Sequence, residues 1–241
     1  MIFDRLLYPS NSLILANDYI PDDTYDDWLK QLDEVGKYYR WRKLSDLVAD
    51  DRPQLGGAAV VFTSPRKKNF LRAIPELVAR GIPVTLFLRP DCIGLNRLPP
   101  EEELRYFGFS DIEQAFYKPE ETEAFLLCLR KEKGALPVEE LDPTLFFATW
   151  GKVLEIPPEL RDFGFYVYAR PDHDALITEA LRFTETQTVQ RMTLAFSPQT
   201  LSPREKAKLR DKKIRALLTS REGIIEKTTD IWDLPRFSER I

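Results

Sequence analysis

The sequence predicts an α/β protein, either a layered sheet or a barrel. Short apolar runs of strand length alternate with stretches of helical periodicity along most of the chain. A length of 241 residues, 43% of them apolar, is enough for one domain with a sizeable core, so a single domain over 1–241 is expected. No internal repeat or low-complexity segment points to another architecture.

"SLILA" (12–16) reads as the first strand. "DDTYDDWLKQLDEVGKYY" (22–39) follows as an amphipathic helix, with an apolar stripe of Trp28, Leu29, Leu32 and Val35 and acids in its first turn. "KLSDLVAD" (43–50) is expected as a short helix capped by Ser45. Next come a strand at 58–62, a helix at 66–80 ended by Gly81, and a strand at 82–88. Residues 91–162 read as short helical pieces broken by prolines, a helical insertion whose 101–162 portion carries 15 acidic against 7 basic side chains. "GFYVY" (164–168), "TLAF" (193–196) and "IRALLT" (214–219) read as three more strands. Between the last two, Ser202 and Pro203 open a helix as N-cap and first helical residue.

A net charge of −4 argues against a general nucleic-acid binder. Two cysteines without a CxxC spacing imply no disulfide framework and allow a reducing compartment. The first residues lack the pattern of a signal peptide, and no run approaches the roughly 18 apolar residues of a membrane span. A cytoplasmic protein without membrane contact is expected.

The runs "LILAND", "WLKQLDEVGKYYRWRKLSDLV", "AAVVFTSPRKKNFLRAIPELVARGIPVTLFL", "ATWGKVLEI", "GFYVYARP", "MTLAFSPQ" and "IRALLTSREGIIEKTTDIWDLPRF" resemble, in order and spacing, the polysaccharide deacetylase family of NodB-homology carbohydrate esterases. That resemblance spans nearly the whole chain. It implies a distorted (β/α) barrel with its site at the C-terminal ends of the strands. It also implies a chemistry, in which one Asp and two His hold a divalent metal while a second Asp acts as general base on a metal-bound water.

Carried over position by position, the resemblance puts Thr63 at the base position and Ser64 at the metal Asp. Tyr166 stands at the first His and Arg170 at the second. A guanidinium has no free lone pair to give a metal. The region expected to supply an oxyanion donor reads "AFSPQ". The chain has a single histidine, His173, so a His-rich metal site is excluded by counting. A mixed set drawn from Asp18, Asp91, Asp172, His173 and Asp174 stands as an alternative, against the plainer reading of solvated loop residues. No other catalytic motif replaces the lost one: G-x-S-x-G, P-loop and Gly-rich dinucleotide loop are all missing.

Arg66, Arg89 and Arg170 follow three different expected strands and would share one barrel mouth, where guanidiniums suit a phosphate, sulfate or sugar carboxylate. Lys67 and Lys68 would add to the field, and Asp91, Asp172 and His173 lie among the same candidate ligand contacts. The competing reading has 66–68 as a solvated helix start, with Arg170 paired to Asp172 or to acids of the middle block. Aromatics such as Phe146, Phe147, Trp150, Phe163, Phe165, Tyr166 and Tyr168 serve sugar stacking in one reading and core packing in the other. The acidic 101–162 region is a candidate docking surface for a protein partner, or the wet side of its helices. The expectation is therefore a deacetylase-like barrel that is not a metal-dependent deacetylase. It would need no metal or cofactor and would act in glycan binding or as a scaffold for glycan-processing partners. The alternative is a divergent hydrolase of acetylated sugars.

Overall fold

A computed structural model describes residues 10–89, 92–95, 97–110, 119–137, 141–166, 194–197, 201–211 and 214–238. The strands are β1 (Leu13–Asn17), β2 (Arg40–Trp41), β3 (Gly57–Phe62), β4 (Val84–Leu88), β5 (Arg161–Tyr166), β6 (Leu194–Phe196), β7 (Ala216–Glu222) and β8 (Leu234–Ser238). The helices are α1 (Tyr25–Gly36), α2 (Leu44–Leu47), α3 (Lys67–Leu71), α4 (Ala73–Ala79), α5 (Pro100–Tyr106), α6 (Pro119–Lys133), α7 (Trp150–Leu154) and α8 (Pro203–Asp211).

Seven parallel strands close into a barrel in the order β1-β8-β7-β6-β5-β4-β3, with β3 returning to β1 from Leu13↔Ala58 to Asn17↔Phe62. β2 lies outside the ring, beside the start of β3. Closure leaves no unpaired edge in the ring.

The inner face follows from side-chain contacts. Phe87 of β4 meets Phe196 of β6 at 5.7 Å between ring centroids, although β5 lies between them. Such a contact across an intervening strand requires the concave side. Gly164 stands opposite Phe87 on β5. A Cβ on Gly164 would lie 2.5 Å from Phe87 Cε1 and 3.0 Å from the Leu194 carbonyl oxygen, so its missing side chain is the room that Phe87 occupies. Gly164→Ala is expected to cost about 1–3 kcal/mol by overpacking, read as a lowered urea midpoint. Phe87→Leu in the same chain should recover part of the loss.

α2 closes the N-terminal end of the barrel. The Leu44 N–H donates to Thr85 Oγ1 (3.1 Å) and the Ser45 N–H to Asp162 Oδ2 (2.9 Å). The cap expected from Ser45 is thus reversed: Lys43 is the N-cap residue with no side-chain bond, and the carboxylate of Asp162 satisfies the helix start. The helix is also shorter than the expected 43–50, because Asp50 and Asp51 take positive φ in the 3₁₀ turn that follows it.

Other local signals hold. α1 buries Tyr25, Trp28, Leu32 and Val35, but it spans Tyr25–Gly36 rather than 22–39. The expected helix 66–80 is two helices that break at Arg72. Pro75 explains this, since it has no N–H and is tolerated only in the first turn of a new helix. Gly81 takes φ +66 and ends α4, with its N–H bonded to the Val78 carbonyl and the Ile82 N–H to the Leu77 carbonyl, a Schellman motif. At α8, Ser202 Oγ accepts from the Glu205 N–H while Glu205 accepts from the Ser202 N–H, a reciprocal capping box. β5 begins at Arg161, three residues earlier than expected; positions 167 and 168 lie outside the described residues. β2 and β8 were not expected as strands.

Candidate site at the mouth of the barrel

The C-terminal ends of the strands meet at one mouth, as parallel closure requires. β1 delivers Asn17 and Asp18, β3 delivers Thr63 and Ser64, β4 delivers Arg89, β5 delivers Tyr166, and β8 delivers Arg236.

Thr63 and Ser64 are both buried. The Thr63 N–H donates to the Asn17 carbonyl at 2.8 Å, and its hydroxyl lies 3.4 Å from the same oxygen. The Ser64 carbonyl accepts from the Arg66 N–H (2.8 Å) and from Asn69 Nδ2 (3.2 Å). Asn69 Nδ2 also donates to the Asp18 carbonyl at 2.9 Å. The turn after β3 is thus tied to the end of β1 through backbone and amide bonds.

Arg66 is a heavily engaged charge. Its side chain is only 5% exposed. One terminal nitrogen donates to Glu102 Oε2 (3.1 Å) and to the Leu145 carbonyl (2.8 Å). The other donates to Asp18 Oδ2 (3.2 Å) and to Glu102 Oε1. Burial works against the charge, but the Glu102 hydrogen bonds and the charges of Asp18 and Glu102 outweigh it and raise the Arg66 pKa above its ordinary value. Arg66 is therefore neither a solvated helix start nor an open cation. It clamps β1, β3, α5 and the 142–145 turn together. Backbone bonds from Lys67 N to the Phe146 carbonyl and from Ala148 N to the Pro65 carbonyl continue the seam.

Tyr166 stands where β5 reaches the mouth. Its ring packs edge-on against Phe196 at 4.9 Å, and the Arg89 guanidinium lies 5.5 Å from its centroid. Arg89 itself is buried. Arg236 enters from β8 with its guanidinium 5.0 Å from the Phe196 centroid, across the intervening β7. Burial lowers its pKa below the ordinary arginine value, against the opposing influence of Tyr166, Asp18 and Glu222.

Of the residues singled out from sequence, the structure brings Asp18, Thr63, Ser64, Arg66, Arg89 and Tyr166 to this mouth. Asp91, Arg170, Asp172, His173 and Asp174 lie outside the described residues. Lys67 and Lys68 reach rings instead, Phe146 at 5.6 Å and Tyr19 at 5.5 Å. Phe146, Phe147, Phe163 and Phe165 are core residues, which favours packing over sugar stacking for these four. Among the described residues no group of three His, Cys, Asp or Glu could hold a metal ion. No helix of the described residues is long and apolar enough to cross a membrane.

Glu102 and Arg236 were missed by sequence reasoning. Glu102 sits in a run of three acids that periodicity cannot tell apart. Arg236 follows a proline in "LPRF", which hides the strand that aims it inward.

No protein-family model matches the sequence, and no curated protein sequence matches it. Solved structures match over almost the whole chain. IcaB from Ammonifex degensii superposes with a TM-score of 0.60 over 97% of this chain and 93% of that one, at 14% identity. The BpsB deacetylase domain from Bordetella bronchiseptica gives 0.59 over 96% of each chain at 11% identity. The Streptococcus pyogenes deacetylase PplD, solved with acetate, gives 0.59 over 96% and 93% at 10% identity. At such identities the likeness is one of fold, and it is the barrel fold that the sequence resemblance implied.

Proposed function

We propose, with the polysaccharide-deacetylase barrel as premise, that this chain is a non-catalytic relative that binds a glycan or serves as a scaffold for glycan-processing partners. The observation that carries this reading is the chemistry of the mouth. Hydroxyls of Thr63 and Ser64 end β3, and Tyr166 ends β5 between the Arg89 guanidinium and the Phe196 ring. A divalent metal of the kind the fold family uses does not fit this set. The carboxylate that reaches the mouth from β1, Asp18, is ion-paired with Arg66, and hydroxyl, phenol and guanidinium groups are poor or impossible ligands for it.

The acidic 101–162 region is the face proposed for a protein partner. Two cysteines, both free, fit a reducing, cytoplasmic setting.

Two measurements test the reading together. Tag-free protein is incubated with Zn²⁺, Co²⁺ or Ni²⁺, desalted and analysed for metal, and acetate release is followed on acetylated chitooligosaccharides. The expected result is no stoichiometric metal and no acetate above the blank. One tightly held metal per chain together with acetate release slowed by Thr63→Ala would overturn the reading in favour of a divergent hydrolase.

A further inference from the structure

Arg236 differs from every other arginine brought to the mouth. Arg66 spends its terminal nitrogens on two carboxylates and a carbonyl. Arg236 makes no side-chain hydrogen bond and no ion pair with the described residues; its Nε, like that of Arg66, is buried without a partner among them. Its guanidinium lies over the face of Phe196. Asp18, the acid nearest in electrostatic terms besides Glu222, is already ion-paired with Arg66. Among the described residues this half-buried guanidinium has no oxygen partner, and such a group is costly to a fold when desolvation is not repaid by Coulombic or hydrogen-bond gain. The barrel has the means to avoid this cost, since Leu234 fills the neighbouring inward position of the same strand with an aliphatic side chain.

Such a cost is retained where the group has a partner that is not part of the chain. A guanidinium presents a planar fork of donors that matches an oxyanion in two parallel bonds. Phe196 holds it from one side, and Tyr166 packs edge-on against Phe196. The position lies on the inner face of the barrel at the end where parallel strands present their ligands.

We propose that Arg236 is the anchor for an oxyanion carried by a small ligand that enters the barrel mouth, a carboxylate or a phosphate on a sugar. This rests on the reading of the chain as a glycan-binding barrel and names the chemical group that it recognises. Arg236 meets the oxyanion, and Phe196, braced by Tyr166, supports the guanidinium.

The test uses the full chain, with glucuronate, glucose 6-phosphate, inorganic phosphate and neutral N-acetylglucosamine as probes at constant ionic strength, read by thermal shift and calorimetry. Wild type should show a saturable rise in Tm with at least one anionic probe and none with the neutral sugar. Glucuronate alone points to a carboxylate source. Glucose 6-phosphate points to a sugar phosphate, and a response to inorganic phosphate alone to the free ion. Arg236→Gln should abolish the response. Without any anion, Arg236→Met should raise the Tm, because it replaces an unpaired charge with an apolar chain on the same ring, whereas a purely structural arginine would lower it. Absence of any anion response in wild type, or a response that survives in Arg236→Gln, overturns the proposal. Acetate release is measured in parallel and reports separately on whether the chain is non-catalytic, so either idea can fail alone.

Discussion

Arg66→Ala will destabilise the protein by about 2–3 kcal/mol, the scale of losing charge-assisted hydrogen bonds to partners that are only part-buried. The reason is more than lost attraction. Without the guanidinium, Glu102 and Asp18 are left facing one another, and the Leu145 carbonyl loses its donor. A loss of that size is a large fraction of the roughly 5–15 kcal/mol by which domains are stable. Arg66→Lys should recover only part of it, because one ammonium cannot reach Glu102, Asp18 and Leu145 with the geometry of a fork. Urea denaturation of Arg66→Met, Glu102→Gln and the double variant would give the coupling between the two residues. A coupling near zero would mean that the clamp does not hold α5 to the barrel. The expected coupling is well above 1 kcal/mol, and hydrogen exchange should show α5 opening ahead of the strands in Arg66→Ala.

Asp162→Ala is the second large effect, at about 2–4 kcal/mol, since it removes an acceptor from three buried donors at once. Those donors are the Ser45 N–H, the Thr85 hydroxyl and the Phe163 N–H. α2 would lose the group that satisfies its start, and the N-terminal end of the barrel its closure. The pH dependence has a definite sign. Burial pushes the Asp162 carboxyl above its ordinary range, partly offset by the hydrogen bonds from Ser45, Thr85 and Phe163. A carboxyl raised on folding favours the fold most when protonated, so its contribution is full at acid pH. It declines as pH climbs from the ordinary value of about 4 through the folded value. Asp162→Asn does not titrate. It should be least favourable relative to wild type at low pH and close the gap as pH rises, measured as urea midpoints across that range. A constant gap would show that the carboxyl is not raised.

Local chemistry made much of the fold legible. Gly81 needed φ > 0, Ser202 with Pro203 and Glu205 formed a cap within four residues, and the α1 stripe followed from helical spacing. Pro75 was equally local evidence that 66–80 could not be one helix. At the site, the sequence indicated which arginines followed strands, and a barrel places strand ends together. It could not indicate which arginine would be spent on a carboxylate and which would find no carboxylate among the described residues. Arg66 finds Glu102 from 36 residues away, and Ser45 finds Asp162 from 117. Pairings of that kind depend on where closed strands bring distant segments.

What the sequence by itself determined was the alternation of strands and helices and the apolar core, both properties of composition and short-range spacing. Only the tertiary structure decided that the strands close into a ring with Phe87, Phe196 and Tyr166 inside, that Asp162 caps a helix from across the barrel, and that Arg66 is buried in ion pairs while Arg236 has no such partner among the described residues. Ring closure gives every strand an inside and an outside and brings first and last strands together. That geometry, rather than any local preference, assigns each charge its neighbour.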